Sequence, residues 1–104
     1  MELKIFWTDF SLNELENIYS YYKDAAGINI AKKIVLNIID RVTILKKYPK
    51  IGQIEDLLLD REQEYRYLVV KNYKIIYWIN EDKNWIEIID IFDTRQYPGK
   101  MTNR

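Results

Sequence analysis

Two stretches in the first half of the chain place apolar residues at helical spacing. The first covers residues 8–24, where Thr8 or Ser11 can cap the helix. Gly27 interrupts the pattern, and a second helix is predicted over Ile28–Tyr48, where a proline stops it. Two consecutive amphipathic helices with a short break form a helix hairpin. The apolar stripes are Leu12, Leu15, Ile18, Tyr19 and Tyr22 in the first helix, and Ala31, Ile34, Val35, Ile38, Val42 and Leu45 in the second.

Runs of β-branched and aromatic residues predict strands on both sides of this hairpin. A short strand is predicted at 3–7, and three further strands at 65–71, 73–79 and 85–92. The breaks between the last three are short, which favours an antiparallel meander, because parallel crossovers need about a dozen residues or more. The order β-α-α-β-β-β predicts an α+β fold, with an antiparallel sheet and the two-helix hairpin packed on one face. We expect one domain over residues 1–104.

The composition is that of an ordinary globular protein, with 48% hydrophobic and 31% charged residues. No apolar run approaches the length of a membrane span, so we expect a cytoplasmic protein with no membrane partner. The lack of cysteine excludes a disulfide framework and a zinc–thiolate site. The lack of histidine removes the usual general base near neutral pH and the commonest metal ligand. We therefore expect neither a metal nor a cofactor.

Charge is balanced over the whole chain but unevenly distributed along it. Lys and Arg number 16, and Asp and Glu number 16. Residues 50–64 carry five acidic against two basic side chains, whereas residues 65–104 carry seven basic against five acidic. A basic patch for nucleic acid must therefore be local and built from the C-terminal part of the chain.

Three cations lie on or directly after the predicted meander, interleaved with aromatic residues. We expect Arg66, Lys74 and Arg95 to converge on one sheet surface, since a meander brings its strands side by side. Aromatic rings that stack bases beside cations that hold phosphates are typical of RNA recognition. The alternative is that these side chains simply cover a half-exposed sheet, with their long stems over apolar neighbours. Asp90 and Asp93 are interpreted as solvated strand-end charges rather than as a metal site.

The order and spacing of several short motifs resemble the RelE/ParE superfamily of toxins, which includes plasmid stabilisation proteins. These motifs are Trp7-Thr8 before the first helix, "YPKIG" at 48–52, "YRYLVVKNYKIIYWI" at 65–79 and "IIDIFDTRQYP" at 88–98. The resemblance covers nearly the whole chain. It implies a small toxin of a type II toxin–antitoxin system, neutralised by a cognate antitoxin that lies across its surface.

The resemblance implies one of two activities, because the superfamily has two branches. RelE-like toxins enter the ribosome and cut mRNA without a metal, whereas ParE-like toxins bind DNA gyrase and poison it without catalysis. On the RelE-like alternative, Arg95 matches the arginine that holds the scissile phosphate, and Lys74 the basic residue that clamps a second phosphate. Arg66 lies near the basic residues of the preceding strand, and Tyr97 lies near the C-terminal tyrosine of that branch.

Our first hypothesis from sequence is a ribosome-dependent mRNA endonuclease. Zero net charge and the lack of histidine depart from the RelE branch, so gyrase inhibition is the alternative. A non-toxic family member that acts only as an antitoxin-binding partner is a third possibility. We also expect the antitoxin to be acidic or mixed in charge where it covers Arg66, Lys74 and Arg95.

Overall fold

The computed structural model describes residues 2–96 of the chain, and Tyr97 lies outside them. A strand precedes two consecutive helices, and four strands follow. Two short 3-10 helices, Ile44–Lys46 and Asp56–Leu58, flank the second strand. The main elements are β1 (Lys4–Trp7), α1 (Asp9–Ala26), α2 (Ile28–Thr43), β2 (Gln53–Ile54), β3 (Arg66–Val70), β4 (Tyr73–Asn80) and β5 (Trp85–Asp93).

The ends of the two helices are set by Thr8 and Gly27. Thr8 is the N-cap of α1, because its Oγ1 accepts a hydrogen bond from the backbone N–H of Ser11 at 3.2 Å. The hydroxyl of Ser11 donates in return to the Thr8 carbonyl at 2.8 Å. Gly27 separates the helices at φ 97°, a left-handed value that glycine tolerates without the steric cost of a Cβ. The predicted hairpin is thereby confirmed.

The five strands form one sheet in the order β1-β5-β4-β3-β2. The meander β3-β4-β5 is antiparallel, as predicted. β1 runs parallel to β5, however, so the sheet is mixed rather than antiparallel throughout. The two-residue strand β2, which pairs with β3, was also not predicted. Short breaks between strands determine how consecutive strands pair, but they contain no information on the direction of β1.

The main core lies between the helix hairpin and one face of the sheet. Four of the six predicted stripe positions on the second helix are fully buried, and Ile34 is 4% exposed. In α1 the stripe is only partly correct, since Ile18 is buried whereas Leu12 is 46% exposed. The sheet contributes Leu68, Tyr73, Ile75, Tyr77, Ile86, Ile88 and Ile91 to this core. We call the opposite side of the sheet the outer face.

The outer face is partly covered by the connector, defined here as residues 55–65. Leu58 from the connector packs against Ile76 and Phe92 in a second, smaller apolar cluster. A β-bulge near this cluster changes the register, because Ile76 pairs with residue 90 whereas Tyr77 pairs with residue 88. The bulge adds Ile89 to β5, and its side chain joins the outer cluster. Within residues 2–96, none of the helices is long and apolar enough to cross a membrane.

Candidate functional site

Arg66 lies on the helix side of the sheet and ties the chain after α2 to β3. Its strand partner is the buried Tyr77, which places both on the same face. The Arg66 Nη1 donates to the Gly52 carbonyl at 2.9 Å, and its Nη2 donates to Glu64 at 2.9 Å. The Tyr77 hydroxyl donates to the Pro49 carbonyl at 2.7 Å and accepts from the Gly52 N–H at 2.9 Å. This arrangement holds residues 49–52 against the core.

Lys74 lies on the outer face, where its ammonium is paired with a buried carboxylate. Its Nζ is 3.0 Å from Oε2 of Glu55, whose side chain is 2% exposed. The same ammonium is 4.2 Å from the ring centroid of Tyr67, within range of a cation–π interaction. The other Glu55 oxygen accepts from the Leu57 N–H at 3.3 Å. Lys74 therefore fastens the connector to the sheet.

The expectation that Arg66 and Lys74 share one surface is wrong. Arg66 pairs with Tyr77 and Lys74 with Val69, so that one side chain faces the helices and the other the outer face. Both residues follow a tyrosine in sequence, but the β3–β4 pairing places them on opposite sides of the sheet. This placement could not be read from either run taken alone.

Arg95 follows β5, and its side chain forms a bidentate salt bridge with Asp93. Its Nε and Nη2 donate to the two Asp93 carboxylate oxygens at 3.0 and 2.8 Å, and its backbone N–H donates at 2.9 Å. Asn72 adds a hydrogen bond at 3.0 Å to the same carboxylate. The hydrogen bond from Arg95 is the main cause that lowers the pKa of Asp93 to about 2. The same contact raises the pKa of Arg95, whose side chain is 60% exposed.

A cleft of about 510 Å³ lies between α1 and the end of β5, with Arg95 on its wall. Tyr73 also lines it, and burial followed by a hydrogen bond with Tyr22 raises the pKa of Tyr73. Burial likewise raises the pKa of Tyr65 and Tyr77. A phenol that serves as a general base near neutral pH needs a lowered pKa, so these three shifts are in the wrong direction. Tyr97, the remaining predicted site residue, lies outside the described residues.

The three candidate cations within the described residues, Arg66, Lys74 and Arg95, each form a salt bridge with a carboxylate at 3.0 Å or less, on separate parts of the surface. Sequence reasoning missed these partners. The acidic partners of Arg66 and Arg95 lie two residues before them, which was a usable signal. Nothing local relates Glu55 to Lys74, 19 residues away. In the part of the chain that the structure describes, no three His, Cys, Asp or Glu residues are grouped to hold a metal.

The fold of two helices against a five-stranded mixed sheet is that of the RelE/ParE superfamily of toxins. The chain is similar to a chromosomal ParDE toxin–antitoxin system from P. aeruginosa, with a TM-score of 0.73 and 20% identity, over 88% of this chain and 96% of that chain. It is also similar to a mutant of the E. coli toxin RelE in the free state. There the TM-score is 0.59 and the identity 12%, over 88% of this chain and 82% of that chain.

The family model described as "ParE toxin of type II toxin-antitoxin system, parDE" matches residues 5–98. The chain therefore belongs to the ParE toxin family, and it is the toxin of a toxin–antitoxin pair. Membership also implies a cognate antitoxin as its partner. No curated protein matches the chain.

Proposed function

We propose that this toxin acts without catalysis, by binding and poisoning DNA gyrase. The observation that carries the proposal is the pairing of Arg66, Lys74 and Arg95 with carboxylates of the same chain. In each pair the carboxylate already offsets the positive charge that would otherwise attract a phosphate. The family match is to ParE toxins, which agrees with this alternative.

The electrostatics support the same proposal. Affinity for RNA depends on neutralising phosphates with cations and releasing counterions. Here the net charge is zero, and Arg66 and Lys74 lie on opposite faces of the sheet. The pKa values of Tyr65, Tyr73 and Tyr77 are raised rather than lowered, so none of these three phenols is suited to remove a proton from a ribose hydroxyl.

The helix hairpin offers a surface suited to a protein target. Five large apolar side chains on α1 and α2 are exposed by 45–59%, namely Leu12, Tyr21, Ile28, Ile30 and Leu36. A protein target that covered these side chains would remove apolar surface from water, which favours association. We infer that gyrase contacts the hairpin rather than the end of β5.

The ribosome-dependent nuclease is the second candidate, favoured by the position of Arg95. Its guanidinium is 60% exposed beside a cleft, as a phosphate-binding group would need to be. The similarity to RelE is consistent with that candidate at the level of fold.

Two assays run in parallel separate the candidates. Purified toxin is added to gyrase with supercoiled plasmid and ATP, and separately to translating ribosomes with a defined mRNA followed by primer extension. We expect cleaved, gyrase-linked DNA to accumulate and the mRNA to remain intact. New 5′ ends within the ribosomal A-site codon, lost in Arg95→Gln, would overturn the proposal in favour of the nuclease.

A matched pair of variants tests the contact surface. Leu36→Lys places a charge on an exposed apolar position of α2 and should abolish the effect on gyrase. Asn37→Lys introduces the same charge at the neighbouring exposed polar position and should retain the effect on gyrase. Arg95→Gln should retain it as well. If the wild-type protein affects neither gyrase nor mRNA and does not arrest growth, the chain is a non-toxic partner of the antitoxin.

A further inference from the structure

Glu87, near the start of β5, is held by two indole rings. Its Oε2 accepts from Trp78 Nε1 at 3.2 Å, and its Oε1 accepts from Trp85 Nε1 at 3.1 Å. Trp78 is the strand partner of Glu87, and all three side chains lie on the outer face. One hydrogen bond to each oxygen fixes the orientation of the carboxylate while leaving further lone pairs available.

This carboxylate lacks a cationic partner within the described part of the chain. No salt bridge joins Glu87 to a lysine or arginine of residues 2–96, although it is only partly buried. The aromatic surface beside it continues to the edge of the sheet, where Phe6 stacks on Trp85 with a centroid distance of 4.7 Å. Phe6 is 41% exposed. An oriented carboxylate among aromatic rings combines the two interactions that attract a lysine or arginine side chain.

An apolar cleft adjoins this group along β5. It has a volume of about 360 Å³, and Ile89, two residues beyond Glu87, forms part of its wall together with Leu58 and Tyr65. Tyrosine, which Tyr65 supplies to this wall, is among the residue types that contribute most to binding energy at protein interfaces. The cleft and the carboxylate together fit a segment that presents a cation next to a large apolar side chain.

The connector is acidic on balance, with five carboxylates against one cation, Arg61, which also lines the cleft. The connector packs on the outer face through Leu58 and carries exposed Asp56, Asp60 and Glu62, which form no salt bridges within the described residues. The acidic partner expected from the sequence would meet three cations that already have carboxylates. A cationic segment would instead meet carboxylates that have none.

We propose that Glu87, Trp78 and Trp85 form a receptor for a lysine or arginine of the cognate antitoxin, and that an adjacent apolar side chain of the antitoxin fills the cleft. The ammonium or guanidinium pairs with the Glu87 carboxylate and lies against an indole face. This inference rests on membership of a toxin–antitoxin family and is independent of gyrase. Failure of the gyrase assays would leave it unaffected.

Calorimetric titration of the toxin with the antitoxin encoded beside it tests the receptor. Glu87→Gln should raise the Kd at least tenfold and reduce its dependence on salt, since one ion pair is lost. Glu81→Gln, which removes an exposed carboxylate from the turn after β4, should leave the Kd unchanged. A Kd for folded Glu87→Gln within twofold of the wild-type value would overturn the proposal.

A second measurement needs no variant and therefore does not depend on Glu87→Gln folding. Hydroxyl-radical footprinting of the wild-type toxin, free and in its complex, reports the accessibility of each tryptophan. We expect strong protection of Trp78 and Trp85, with Trp7, which packs on the helix side, as the internal reference. Equal oxidation of Trp78 and Trp85 in both states would show that the antitoxin binds elsewhere.

Discussion

The pairing of Lys74 with Glu55 predicts that Lys74 supports the fold. Lys74→Met removes the ammonium and keeps most of the stem, leaving a carboxylate that is 2% exposed without its cation. Breaking a buried ion pair by removing one partner costs about 3–5 kcal/mol. The Lys74 side chain is 23% exposed, so water reaches the pair and screens it. We therefore expect a loss of about 2–3 kcal/mol in the free energy of unfolding, including the cation–π contact with Tyr67.

Urea unfolding followed by circular dichroism measures this loss, and two further variants assign it. Glu55→Gln should cost only about 1 kcal/mol, because its amide oxygen still accepts from Leu57 and the free ammonium can reach water. The double variant should be more stable than Lys74→Met alone, since the uncompensated charge has been removed. Lys83→Met, at an exposed turn position, should stay within about 0.5 kcal/mol of the wild type.

Two outcomes would refute this reasoning. A loss below about 0.5 kcal/mol in Lys74→Met would show that Glu55 does not need its cation. A double variant whose loss equals the sum of the two single losses would show that the side chains are not coupled. In either case Lys74 would be free for another role, including the phosphate-binding role inferred from the RelE-like alternative.

Two other contacts give predictions of the same kind. Tyr77→Phe removes a buried hydroxyl that is hydrogen-bonded to two backbone groups, and it should lower the free energy of unfolding in urea by roughly 2–4 kcal/mol. Tyr48→Phe, at an exposed position, should leave that free energy unchanged. Equal losses in the two variants would contradict a stabilising role for the Tyr77 hydrogen bonds. The pKa of Asp93 is about 2 in the folded chain against 3.8 for the free side chain, so its contribution to stability is present above about pH 4 and is lost as pH falls through about 2. Arg95→Gln should move the NMR titration midpoint of this carboxyl towards 3.8, and an unchanged midpoint would exclude Arg95 as the cause.

The sequence predicted the elements well where periodicity and burial agree. Five of the six stripe positions of the second helix are buried, and Thr8 caps α1 because its side chain accepts a hydrogen bond from the Ser11 N–H. Leu12 fits the same periodicity in α1 but is exposed, because the preceding Ser11, which is fully buried, takes the inward position of that turn. A polar residue on the buried side of a helix is not recognised by a pattern of apolar positions.

The candidate site was harder to predict, because it depends on register and on the connector. The sequence correctly identified Arg95 as the cation that follows the last strand. It could not place Arg66 and Lys74 on opposite faces, since only the pairing of β3 with β4 determines that. Glu55 becomes the partner of Lys74 only after the connector has folded over the sheet, and its own surroundings in sequence look like those of a solvated acidic loop.

The parallel pairing of β1 with β5 has a consequence for the synthesis of the toxin. Strand residues 4–7 pair with residues 85–88, and the Thr8 hydroxyl donates to the Ile88 carbonyl across 80 positions of sequence. A nascent chain that ends before β5 has the helix hairpin but lacks the strand with which β1 pairs, and contacts of such long range form slowly. The sheet can therefore be completed only after nearly all of the described residues have been synthesised.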